Sequence, residues 1–104
     1  MDKYELRAEV IKALSHPARL KIIDILSSCN EKCVCEIMEE LGLEQSTVSK
    51  HLSILKSVGI IDSRKDGLKV LYHLNAPCMV SFFGCIDNIL SRDIERRMYQ
   101  LERG

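Results

Sequence analysis

Five cysteines in a chain of 104 residues are the groups with the most chemistry to offer, and two of them, Cys33 and Cys35, stand one residue apart. Thiolates suit soft ions and redox exchange. In a regular helix, side chains two positions apart point ~200° apart around the axis, so both sulfurs cannot face one ion there. A shared ligand requires Cys33 to lie at or before the first turn, or requires binding to unwind that turn. Either way the ligand acts on the start of a helix. Cys29 lies four residues before Cys33, across a polar break at residues 30–32. Cys78 and Cys85 lie two helical turns apart, ~10 Å along the axis, so they cannot ligate one ion within a chain and read as small apolar residues for an interface. An odd number of cysteines in a reducing setting reads as ligands, sensors or core, without a disulfide framework.

The elements that must position these thiols follow from apolar spacing. Ile37, Met38 and Leu41 share one helical face that stops at Gly42, and Val48, Leu52 and Leu55 share another that stops near Gly59. This is a helix-turn-helix with the thiol pair at its entrance. Before it, Leu6, Val10, Ile11 and Leu14 mark one amphipathic helix; Leu20, Ile23 and Leu26 mark a second, started by Pro17. After it, residues 60–65 and 68–74 flank Asp66-Gly67, a two-residue hairpin turn. In the second strand Leu68, Val70, Tyr72 and Leu74 are expected to line one buried face. Asn75-Ala76-Pro77 then starts a last helix, striped with Phe82, Phe83, Ile86, Ile89, Leu90, Ile94, Met98 and Leu101. The expected fold is mainly α with a small β-hairpin: a winged helix-turn-helix, α-α-α-α-β-β-α, in one domain over residues 1–104. One small domain cannot cover the first and last helices, so pairing with a twin through them is expected.

Composition narrows the function classes. With 46% apolar residues and 15 basic against 15 acidic, net charge gives no support for nucleic-acid binding. The distribution is uneven: residues 44–74 hold five Lys/Arg against three Asp/Glu, and residues 1–43 hold six against eight. No apolar run approaches the ~18 residues that cross a bilayer, and residues 1–14 are charged at helical intervals, so a cytoplasmic protein without membrane contact is expected. No nucleophile–base pair or glycine-rich phosphate loop is present, which argues against an enzyme.

Double-stranded DNA is the partner a helix-turn-helix implies. The amino-terminal half of the second helix meets base edges, where Gln bonds adenine and Ser or Thr hydroxyls serve bases or phosphates. Gln45, Ser46, Thr47, Ser49 and Lys50 occupy that half, with His51 close behind. Ser46 and Glu44 are also candidate helix caps. In the wing, Arg64, Lys65 and Lys69 suit phosphates. His16 before a proline, His51 in the reading helix and His73 in a wing strand are explained by position, without a metal.

The segments Ala13-Leu14-Ser15-His16-Pro17-Ala18-Arg19-Leu20, Cys33-Val34-Cys35-Glu36-Ile37, Gln45-Ser46-Thr47-Val48-Ser49-Lys50-His51-Leu52 and Leu71-Tyr72-His73-Leu74, in this order, resemble the ArsR/SmtB family of metal-responsive repressors. The resemblance covers nearly the whole chain. It implies a homodimeric winged helix repressor that leaves an inverted-repeat operator when an inducer binds, with no cofactor needed for DNA binding. Arsenic-sensing members carry such a Cys-Val-Cys pair and a third cysteine three residues further on, where this chain has Met38. Arsenite and antimonite take three sulfurs, so Cys29, Cys33 and Cys35 form the candidate ligand set, ahead of Cys78 and Cys85. Cadmium and lead sensors add cysteines from an amino-terminal arm; residues 1–28 hold none. The zinc pattern of Asp and His in the last helix is absent, since no His follows position 73. Two other classes stay open: a thiol redox or persulfide-responsive switch joining Cys29 or Cys33 to Cys85 by a disulfide or polysulfide link, and a winged helix used only for protein docking.

Overall fold

The computed structural model describes residues 1–103. The chain runs α1 (Lys3–Leu14), α2 (Pro17–Ser27), β1 (Lys32–Cys33), α3 (Val34–Leu41), α4 (Gln45–Ser57), β2 (Ile61–Asp66), β3 (Lys69–Leu74) and α5 (Met79–Arg103). Local chemistry explains the helix ends. The Asp2 carboxylate accepts the Glu5 N–H at 2.8 Å and caps α1. Pro17 opens α2 at a position whose N–H would be orphaned anyway, and His16 caps it by accepting the Ala18 N–H on Nδ1 at 3.1 Å. Gly42 ends α3 with φ of 67°, a left-handed conformation that favours glycine, and its N–H donates to the Met38 carbonyl at 2.8 Å. Glu44 occupies the cap position of α4 but makes no side-chain cap bond, and Ser46 lies inside the helix.

The fold is the expected winged helix-turn-helix with one added element. β1, β3 and β2 form an antiparallel three-stranded sheet in that order, with Lys32 opposite Tyr72 and Cys33 opposite Leu71. The sequence marks residues 30–32 as a polar break only; two residues carry no alternation, and it is pairing with β3 that makes β1 a strand. The hairpin closes at Asp66 opposite Lys69, so its turn is Gly67-Leu68, one residue later than expected. Gly67 alone has positive φ there (64°), as a turn with glycine at the first loop position requires. Leu68 therefore sits at the tip, fully exposed, and Val70, Tyr72 and Leu74 are half-buried, so the expected buried wing face is only partial.

Leu14, Ile22, Ile23, Leu26, Ile37, Val48, Leu52, Leu55, Ile60 and Ile61 form the core, with Met38 and Phe83 packed against it. Helix α2 buries Ala18, Ile22, Ile23 and Leu26, and this face leaves the expected core residue Leu20 exposed. Leu6 and Ile11 of α1 and most of the α5 stripe, including Ile89, Leu90, Ile94 and Met98, are likewise exposed. Helix α5 has 25 residues, ~37 Å at 1.5 Å each, and projects from the body. The radius of gyration, 16.7 Å, accordingly exceeds the ~13 Å of a compact domain this size. Among the described residues no helix is long and apolar enough to cross a membrane.

Candidate DNA interface and thiol pair

Helix α4 separates its two faces as a reading helix must. Val48, Leu52 and Leu55 are buried, while Gln45, Ser46, Thr47 and Lys50 are exposed and Ser49 is half-buried. Its carboxy-terminal end is tied to the wing where the Lys56 ammonium donates to the Ser63 hydroxyl at 2.7 Å. Arg19, Ser46, Thr47, Lys50, His51 and Ile54 line a cavity of about 510 Å³ beside this face. Its basic and hydroxyl lining suits a phosphate-bearing ligand.

His51 departs from the expectation that it meets DNA. It is 8% exposed and turned toward α2, where its Nδ1 accepts from Arg19 Nε at 3.1 Å and its ring lies 4.4 Å from that of His16. Burial first, then the neighbouring charges of His16, Arg19 and Lys50, holds its pKa below the ordinary value of 6.5. A neutral, inward-facing imidazole orients the helix more than it reads a base. Among the other histidines, His73 pairs through Nε2 with Asn75 Oδ1 at 3.0 Å and His16 is the α2 cap.

On the wing, Lys65 and Lys69 are exposed at the hairpin end. Arg64 is engaged: its Nε and Nη2 donate to the two carboxylate oxygens of Glu31, both at 2.6 Å. This bidentate bond is the first cause of a lowered Glu31 pKa and a raised Arg64 pKa. Glu31 carries no chemistry-bearing motif, and sequence reasoning missed it; a lone acid in a polar break, 33 residues from its partner, gives no local signal.

The thiols occupy the junction of sheet and helix. Cys33 ends β1 and caps α3 with extended backbone (φ −81°, ψ 162°), and its N–H donates to the Glu36 carboxylate at 3.2 Å. It thus lies before the first helical turn, the condition under which two residues of spacing lets sulfurs meet. They do meet: Cys33 and Cys35 form a disulfide with Cα atoms 5.4 Å apart. This departs from the expectation of no disulfide: Cys33 is joined to its neighbour in the motif, and Cys85 is a free thiol. Cys33 is buried and Cys35 exposed, so the pair can be reached from solvent through Cys35.

Cys29 is not brought to them. It is half-buried, its thiol donates to the Ile25 carbonyl at 3.4 Å, and it lines a separate cavity with Glu31, Arg64 and His73. Among the described residues no three His, Cys, Asp or Glu side chains are grouped closely enough to hold a metal ion, so the trio Cys29, Cys33 and Cys35 is not assembled here. The reason is that the last turn of α2 directs Cys29 to its own carbonyls. Cys78 and Cys85 are exposed, and so are not packed within the protomer.

Comparison with known proteins meets this geometry. The profile described as "Bacterial regulatory protein, arsR family" matches residues 16–63, from the α2 cap through α4 into β2. The chain is 45% identical over 74 residues to an uncharacterized HTH-type transcriptional regulator of Methanocaldococcus jannaschii, covering 71% of this chain and 83% of that one. It is 39% identical to the arsenical resistance operon repressor of Staphylococcus xylosus, covering 69% and 68%. Among solved structures it is similar to a homodimeric winged helix-turn-helix DNA-binding domain from Mycobacterium bovis, with TM-score 0.74, 28% identity, and 89% and 85% of the two chains covered.

Proposed function

This chain belongs to the arsR family of bacterial regulatory proteins, winged-helix transcriptional regulators without enzymatic activity, and we propose that it is a homodimeric repressor gated by its Cys33–Cys35 pair. The observation that carries this reading is the position of the pair. Cys33 caps the leading helix of the helix-turn-helix, so whatever closes or opens the two sulfurs acts on the first turn of the reading unit. In the open form Gln45, Ser46, Thr47, Ser49 and Lys50 contact an inverted-repeat operator, and Arg64, Lys65 and Lys69 contact phosphates. Closure displaces α3 and weakens the grip. The dimer forms through α1 and α5, whose exposed apolar residues a second copy covers, and the homodimeric relative supports it.

The effector is a soft thiophilic species, arsenite or antimonite first, since reduction of the Cys33–Cys35 pair frees two thiolates within reach of one ion and a similar protein is an arsenical resistance repressor. Cys29 supplies a third sulfur only if residues 29–32 move. Cadmium, lead and zinc are less well matched by this donor set. The disulfide itself favours a second reading, a redox switch. There the two thiols lose two protons and two electrons to a peroxide, which is reduced to water, and a Cys33–Cys35 bond forms.

One experiment tests both readings. The reduced protein is titrated with arsenite, antimonite, cadmium, lead, zinc and, separately, hydrogen peroxide, while thiolate absorption and operator release are followed. Release by arsenite or antimonite at one equivalent per pair supports the first reading, and release by peroxide alone supports the second. Operator binding indifferent to all of them sinks thiol gating.

A further inference from the structure

The carboxylate of Glu31 stands two residues before Cys33, in the segment that joins α2 to β1, and reaches across to the wing strand β2. Its partner Arg64 is a residue that the wing would present to a DNA phosphate. A guanidinium meets carboxylate and phosphate through the same fork of N–H groups, so one bidentate partner excludes the other on those atoms. Glu31 uses Nε and Nη2 of Arg64, both at 2.6 Å, in the state in which Cys33 and Cys35 are joined. The segment that follows Glu31 is also anchored, to α3 and to β3. Lys32 binds Glu40 of α3 at 2.8 Å, and the Lys32 and Cys33 backbone pairs with Tyr72 and Leu71 of β3. A change at the thiol pair therefore reaches Glu31 through two residues of ordered backbone, with no flexible linker between them.

We propose that Glu31 is a positioning residue for DNA binding: with the thiols closed it holds Arg64 away from the DNA backbone, and with them open it releases Arg64 to a phosphate. The charge of Glu31 thus links the thiol pair to the wing, independently of any shift in α3 and α4. This rests on the reading that thiol closure lowers DNA affinity, and goes beyond it by naming the residue responsible for part of the decrease.

The test uses full-length protein, reduced and disulfide-closed, on operator DNA across a salt series. In the wild type, closure lowers affinity and flattens the dependence of log K on log salt. In Glu31→Gln, which keeps the shape and removes the charge, the closed protein recovers a salt slope steeper by about 0.9 for each Arg64 returned to a phosphate. Its closed-to-open affinity ratio shrinks. In an Arg64→Ala background, Glu31→Gln changes nothing, because the residue acts only through Arg64. The Arg64 Nε–H resonance in the DNA-free closed protein gives an independent readout: it is protected in the wild type and loses that protection in Glu31→Gln.

An unchanged slope and ratio in closed Glu31→Gln overturns the proposal, as does an equal gain in the Arg64→Ala background, which would mean diffuse repulsion by the carboxylate. If the wild-type affinity itself does not respond to closure, thiol gating has failed, and the Nε–H readout then decides whether the ion pair holds Arg64 at all.

Discussion

The guanidinium of Arg19 donates from Nε to His51 Nδ1 at 3.1 Å and from Nη1 to the Ala13 carbonyl at 3.1 Å, so one side chain joins the end of α1 and the start of α2 to the middle of α4. Arginine can only donate, which requires His51 Nδ1 to accept and puts the ring proton on Nε2. The reading helix is oriented from behind by a neutral imidazole that its place in the sequence directs toward DNA.

The burial of His51 makes stability depend on pH with a definite sign. Burial, with His16, Arg19 and Lys50 nearby, keeps the His51 pKa below 6.5, so as pH falls through 6.5 the unfolded chain takes up a proton before the folded one does. The contribution is fully present above 6.5, declines on acidification and levels off below the folded value. Thermal melts between about pH 8 and about pH 5 should show this decline in the wild type and a smaller one in His51→Gln. Equal slopes in both would remove His51 as its source.

Base and phosphate recognition should separate by mutation. Gln45→Ala and Ser49→Ala are expected to relax base preference by ~1–3 kcal/mol for each bidentate hydrogen-bonded pair removed. Lys65→Ala and Lys69→Ala should weaken binding to all sequences and lower the salt slope. Binding isotherms on operator and random DNA check the sorting, and identical weakening on both DNAs from all four changes would show it wrong.

Response should follow the thiol pair. Cys33→Ser and Cys35→Ser are expected to retain operator binding and to lose release, because a disulfide closing so short a loop removes little entropy from the unfolded chain and its absence costs little stability. Cys29→Ser should weaken arsenite response only in part, and Cys78→Ser and Cys85→Ser should preserve it. Release that survives Cys35→Ser but not Cys85→Ser would move the site to α5.

Dimerisation should depend on the α5 stripe. Ile89 and Leu90 are 64% and 53% exposed in the protomer, and Leu90→Asp would place a charge in the face that a twin covers. Sedimentation should give a dimer for the wild type and a monomer for the variant, with operator affinity abolished alongside. Half-sites should lie ~10 base pairs, or a multiple, apart. A wild-type monomer that binds a lone half-site as tightly as the repeat would contradict this.

Helices, wing and the apolar stripe of α5 are legible in the chain because each rests on a local period or a local stop. Val48, Leu52 and Leu55 recur at helical spacing, Gly42 needs its left-handed φ of 67°, and Pro17 tolerates only the start of α2. The Cys33–Cys35 spacing likewise carries its own condition, that Cys33 precede the first turn. Whether the condition is met is decided by β3, whose pairing draws Lys32 and Cys33 into extended backbone. The same holds for His51 with Arg19, 32 residues apart, and for Glu31 with Arg64, 33 apart. The packing of α2 on α4, and of the wing on the segment before α3, sets which polar groups meet; no period along the chain encodes such a meeting, because its geometry exists only once the core has closed.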